Sequence, residues 1–99
     1  MDTYVVLRRG GWRTPEELEA AADRSKVTGA GMPDEVRWVR SYAIVEEDGS
    51  LGTVCIYEAT DPEALRRHAA DADLPVIEIR RVAQTLIAGE DPAGVVVAA

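Results

Sequence analysis

The stretch Val36–Ala59, VRWVRSYAIVEEDGSLGTVCIYEA, decides the fold. Val36 to Glu46 is rich in β-branched and aromatic residues and reads as one long strand. Asp48-Gly49-Ser50 is a turn signal, and the strand pattern resumes after Leu51 and runs through Ala59. Two such segments joined by a short Gly-containing turn predict a β-hairpin. On the N-terminal side, Thr3 to Arg8 reads as a first strand ended by Gly10-Gly11. Thr14-Pro15-Glu16-Glu17 then opens a helix: Thr14 supplies an N-cap, Pro15 fits the first helical position, and Glu17 completes a capping box. This helix is expected to run from Pro15 to about Val27, with Leu18, Ala21, Ala22 and Ser25 as its inward stripe. Gly29, Gly31 and Pro33 stop it. On the C-terminal side, Asp61-Pro62-Glu63 opens a second helix capped by Thr60 or Asp61 and ending near Ala72, before Leu74-Pro75. Val76 to Leu86 reads as a last long strand.

The order is β-α-β-β-α-β, the split β-α-β arrangement of ferredoxin-like α+β domains. It predicts a four-stranded antiparallel sheet with two helices on one face. Residues 1–88 form one domain, and residues 89–99 read as a flexible C-terminal tail beginning Gly89-Glu90-Asp91-Pro92 and finishing with Val95-Val96-Val97.

With 99 residues there is room for one core. Phe is absent and aromatics make up 5% of the chain, so that core must come from Val, Ile, Leu and Ala. A domain this small gains from dimerisation, which buries more surface. The net charge of -7 disfavours nucleic acid and anionic membrane as partners. A single cysteine excludes an internal disulfide and suits a reducing cytoplasm, the expected location. The N-terminus has no basic, then apolar, leader pattern, and no apolar run approaches the ~20 residues of a membrane helix.

Strand alternation assigns Val39, Ala43, Val54, Ile56, Ile77 and Ile79 to the helix-covered side. The opposite face then carries Trp38, Arg40, Tyr42, Cys55, Tyr57, Glu78 and Arg80. On strand one, Tyr4/Val6 and Val5/Leu7 are both plausible core sets. A mixed aromatic and charged face points to a ligand pocket or a dimer contact. In the dimer reading two such faces meet and enclose an α/β barrel.

The chemistry-bearing residues are few. There is one His and one Cys, with no His-x-x-x-His or Cys-x-x-Cys pair, so a closed zinc site within one chain is not expected. Asp71 follows His68 by three residues, which places both on one helix face as candidate metal donors, while the position of His68 at the border of the inner stripe of Leu65, Ala69 and Ala72 also reads as that of a packing or capping residue. Cys55 on a central strand reads either as a small buried hydrophobe or as a nucleophile activated by Arg40 or His68. Ser41 lacks the glycines of a nucleophile elbow, and the glycine pairs lack nucleotide-binding fingerprints.

Trp38-x-x-Ser41-Tyr42, Cys55-x-Tyr57-Glu58-Ala59 and His68 with Leu74-Pro75 together resemble the small bacterial nickel-binding domains of ferredoxin-like fold. The resemblance covers about residues 3–83. It implies a homodimer of split β-α-β subunits that binds Ni²⁺ near the dimer surface, with no defined catalytic activity. Ni²⁺ takes imidazole, thiolate and carboxylate donors, which again singles out His68 and Asp71.

Three readings follow. The first is a dimeric nickel protein that sequesters or senses the ion. The second is a cofactor-independent dimeric barrel enzyme of monooxygenase, isomerase or cyclase type, with Tyr42, His68 and Cys55 as its reactive groups around a cavity beside Trp38. The third is an interaction module whose aromatic face is simply the dimer contact.

Overall fold

The computed structural model describes residues 1–75, 78–92 and 94. Its elements are β1 (Asp2–Trp12), α1 (Pro15–Ala30), β2 (Val36–Val45), β3 (Leu51–Ala59), α2 (Pro62–Asp71) and β4 (Glu78–Arg81). The strands form one antiparallel sheet in the order β2-β3-β1-β4. This is the ferredoxin-like fold, with both helices on one face.

The helix starts follow local chemistry. Thr14 is extended, and its Oγ1 accepts from the Glu17 N–H at 3.2 Å. The Glu17 carboxylate accepts from the Arg13 N–H at 2.7 Å, one residue before the cap. Asp61, not Thr60, caps α2, with its Oδ1 accepting from the Ala64 N–H at 2.8 Å. Helix α1 continues past Val27 and through Gly29 to Ala30, where Gly31 caps it. Packing decides this, because Gly29 lies against His68: a Cβ there would meet the imidazole Nε2 at 3.7 Å. Strand β1 also runs on through Gly10-Gly11 to Trp12, with a register shift against β3 between Arg8 and Trp12. Gly10 sits at φ +55, a conformation glycine adopts without strain. At the other end, β4 stops at Arg81 rather than Leu86. Val76 and Ile77 lie outside the described residues.

The sheet's two faces differ from the sequence expectation. On β3 the buried residues are Thr53, Cys55, Tyr57 and Ala59, while Val54, Ile56 and Glu58 are half-buried on the other side. On β1, Tyr4, Val6 and Arg8 are buried. Ser25 of α1 and His68 of α2 both reach Tyr57 from above. The core face is therefore the Tyr4/Val6 and Cys55/Tyr57 side.

Strand β2 changes phase midway. Trp38 pairs with Tyr57, Arg40 pairs with Ile56, and Val39 bulges between them. A bulge adds one residue to a strand and reverses the alternation beyond it. Val36 and Trp38 thus share the core face with Ser41 and Ala43, while Arg40, Tyr42 and Ile44 face outward with Ile56 and Val54. On β4 the expected phase holds: Ile79 pairs with Val6, and Glu78 and Arg80 pair with Leu7 and Val5.

The corrections are specific. Trp38, Cys55 and Tyr57 share a face, but it is the one the helices cover. Arg40, Tyr42, Glu78 and Arg80 lie on the open face. Val54 and Ile56 belong there too, Val39 is the bulge residue and 43% exposed, and Ala43 and Ile79 are on the helix side as expected. The open face is thus an aliphatic patch of Val5, Leu7, Ile44, Val54 and Ile56, all half-buried, with charged residues around it.

Candidate functional site

The polar side chains converge in the layer between sheet and helices. Arg8, Thr53 and His68 are 3%, 5% and 1% exposed. Arg8 and Thr53 are cross-strand partners on β1 and β3, and Cys55 lies two residues beyond Thr53. The Arg8 Nη1 donates to Cys55 Sγ at 3.1 Å, and the guanidinium carbon lies 5.9 Å from the Tyr57 ring centre. A buried guanidinium without a carboxylate is costly, and a soft sulfur plus an aromatic face compensate in part. The Arg8 Nε and the Thr53 Oγ1 have no hydrogen-bond partner among the described residues.

His68 closes the other end of the cluster. Its ring meets Tyr57 edge-on, with centres 5.6 Å apart and planes at 63°. The Tyr57 and Ser25 hydroxyls are 3.5 Å apart. His68 Nε2 lies 3.1 Å from the Ser25 carbonyl oxygen, an acceptor only, so Nε2 carries the proton. Nδ1 is then the lone-pair nitrogen, and among the described residues it is buried without a partner. Burial holds His68 below its ordinary pKa of 6.5; the Ser25 carbonyl opposes this, Arg8 adds to it, and Asp71 opposes it. The ring is therefore a neutral base with an unused lone pair. The Tyr57 phenol is raised above 10.0, first by burial and then by Cys55, against the lowering effects of Arg8 and Ser25.

The predicted site residues separate into two groups. His68 and Cys55 sit beneath the helices, and Tyr42 is on the open face at 43% exposure. Lying on opposite sides of the sheet, the three do not share one cavity. The indole of Trp38 is occupied: its Nε1 donates to Ser41 Oγ at 2.8 Å. The expected cleft beside it is filled by the core. A groove of about 400 Å³ lies elsewhere, between α2 and β4, lined by Arg66, Ala70, Leu74, Glu78 and Arg80 among others. Asp71, at the C-terminal end of α2, is exposed. Sequence reasoning missed Arg8, Ser25 and Thr53 as members of the polar cluster. Arg8 shares its phase with Tyr4 and Val6, and that pattern was the available signal.

The test for nickel is chemical. An imidazole that gives its N–H to a backbone carbonyl and keeps the other nitrogen free is the arrangement of a metal-ligating His. His68 has this arrangement, with Nδ1 buried, and the exposed Asp71 lies three residues on. Among the described residues, no group of three or more His, Cys, Asp or Glu side chains is gathered to hold an ion. The donor set fits in kind and is incomplete within one chain. Among the described residues, no helix is long and apolar enough to cross a membrane.

Comparison with known proteins agrees with this architecture. Residues 4–82 match the family described as nickel responsive protein SCO4226-like. Among solved structures, SCO4226 from Streptomyces coelicolor A3(2) superposes with a TM-score of 0.67 at 19% identity, covering 85% of this chain and 99% of that one. At that identity the likeness shows the fold alone. SnoaB, a cofactor-independent oxygenase from Streptomyces nogalater, gives a TM-score of 0.48 at 23% identity, covering 86% of this chain and 96% of that one. No curated protein matches the chain.

Proposed function

The chain belongs to the nickel-responsive SCO4226-like family, and from that premise we propose that it works as a homodimer that binds Ni²⁺ through His68. The observation that carries the reading is the His68 ring, with Nε2–H committed to the Ser25 carbonyl and Nδ1 left over. Asp71 is the second donor. Both belong to the last turn of α2, where the helix dipole places partial negative charge and favours a cation. Water completes the coordination, because the open face that meets a second copy lies on the other side of the sheet from His68. The ion is what the protein sequesters or senses, and no reaction step is assigned to it.

The dimer half of the reading rests on the open sheet face. Val5, Leu7, Ile44, Val54 and Ile56 sit side by side there with neither helix over them. Fully covering an aliphatic side chain contributes ~1.5–3 kcal/mol. Packing two such faces together buries this patch and leaves Arg37, Glu58, Glu78 and Arg80 at its edges.

Calorimetric titration with NiCl₂ tests the metal site. The wild type is expected to bind Ni²⁺, and His68→Gln to bind on the order of 10–100-fold more weakly. Asp71→Asn, at an exposed position that leaves the core intact, is expected to weaken binding in the same direction. Equal, millimolar-weak binding by all three proteins overturns the proposal.

A further inference from the structure

The chain beyond β4 is anchored at two points, on opposite edges of the sheet. The Val82 N–H donates to the Thr3 carbonyl at 2.8 Å, which ties the start of this segment beside β1. Asp91 then binds Arg40 and Tyr42 on β2: its carboxylate forms an ion pair with the Arg40 guanidinium and accepts from the Tyr42 hydroxyl at 3.1 Å. Arg40 also donates to the Tyr42 oxygen at 3.3 Å, so the three groups form a closed polar set. Strands β4 and β2 are the two edge strands.

The arm between these anchors is longer than the crossing requires. Three interstrand spacings and an offset of two to four residues along the strands, from the level of Thr3 to that of Arg40 and Tyr42, amount to roughly 16–19 Å. Residues 82–90 reach roughly 30 Å when extended. The surplus leaves the arm standing off the protein, and Leu86 and Ile87 at its middle are 85% and 82% exposed. Two adjacent large aliphatic side chains thus bury little against their own subunit. Arg40 and Tyr42 lie on the open face, so the arm lands on the surface assigned above to the second copy. The family match ends at residue 82, so the arm lies beyond the matched fold.

We propose that this arm is exchanged in the dimer: Asp91 of each chain binds Arg40 and Tyr42 of the partner subunit, and Leu86-Ile87 pack against that subunit. The inference rests on the dimer reading and adds the partner contact to it. An element with a defined acceptor site, a slack connection and few contacts to its own subunit is easily swapped between copies, because both copies offer the same acceptor. Exchange also removes the obstruction that an arm arching over its own open face presents to a second subunit.

Mixing charge-reversed chains tests this. Asp91→Arg and Arg40→Asp each place like charges at the latch. In an exchanged dimer built from one chain of each kind, positions 91 and 40 carry opposite charges at both latches: one is the native pair and the other is its mirror in sign. Native mass spectrometry of an equimolar mixture is therefore expected to show heterodimer well above the statistical half. The double variant Asp91→Arg/Arg40→Asp is expected to dimerise like the wild type. A statistical mixture, with a dimeric wild type, means that the arm binds within its own chain; the exchange is then wrong and the dimer reading stands. A wild type that stays monomeric at all accessible concentrations overturns the dimer reading and the exchange together.

Discussion

Trp38 and Ser41 are three residues apart on one strand, and the indole Nε1 donates to the serine Oγ at 2.8 Å. Regular alternation would send these side chains to opposite faces. The bulge at Val39 brings them to the same side and turns Arg40 and Tyr42 outward. This one insertion decides which residues are core and which are available to a partner.

Removing the Ser41 hydroxyl leaves a half-buried indole N–H without its partner. Ser41→Ala is expected to cost about 1 kcal/mol, read as a Tm lowered by ~4–8 °C for a domain of this size. Deleting Val39 removes the extra residue and leaves Trp38 and Ser41 inward and Arg40 outward by regular alternation, so circular dichroism should show the native fold retained.

Adjacent residues on β3 should respond in opposite ways. Ile56→Lys places a charge on the open face and should leave the monomer folded while abolishing dimer in sedimentation experiments. Cys55→Lys places a second cation beside buried Arg8 and should unfold the chain.

Arg8 tests whether the buried polar cluster stabilises the fold. Its charge has no carboxylate partner among the described residues and its Nε is unpaired there. Replacement of buried charges by apolar groups of like volume is often neutral or stabilising. Arg8→Met should match or exceed the wild type in urea unfolding, whereas Arg8→Ala opens a cavity at a cost on the order of 2–4 kcal/mol.

The pH dependence follows from His68. Its folded-state pKa lies below the ordinary 6.5, so the unfolded chain binds a proton more readily. The stabilising contribution is fully present above about pH 6.5 and is lost as the pH falls through the folded value. Urea midpoints measured from about pH 8 to about pH 5 should decline below the ordinary histidine value in the wild type, with a shallower decline in His68→Gln. Ni²⁺ on Nδ1 should resist this loss, because metal and proton compete for one lone pair.

Much of the fold was legible in the sequence. Thr14 and Asp61 followed by Pro, the Asp48-Gly49-Ser50 turn and the element order announced the topology through local chemistry that tertiary contacts did not override. The faces were not legible from the aliphatic residues alone. Val54 and Ile56 look like core, yet Glu58 shares their phase, and an acidic side chain is seldom buried unless paired. Glu58 is instead on the open face, paired with Arg37. The bulge had no marker, because Val39 is neither glycine nor proline and sits inside an ordinary β-rich run. The full burial of His68 was not legible either, because it depends on Ser25 of the other helix, a contact that spacing within α2 does not reveal.

A crystal grown with Ni²⁺ and mapped by anomalous scattering at the nickel edge tests the central claim most directly. The expected map has a nickel peak at His68 Nδ1 with Asp71 beside it, in a dimer whose open faces, bearing Val5, Val54 and Ile56, are packed together. A peak remote from His68, or an ordered crystal with His68 Nδ1 still unliganded at saturating Ni²⁺, would contradict it.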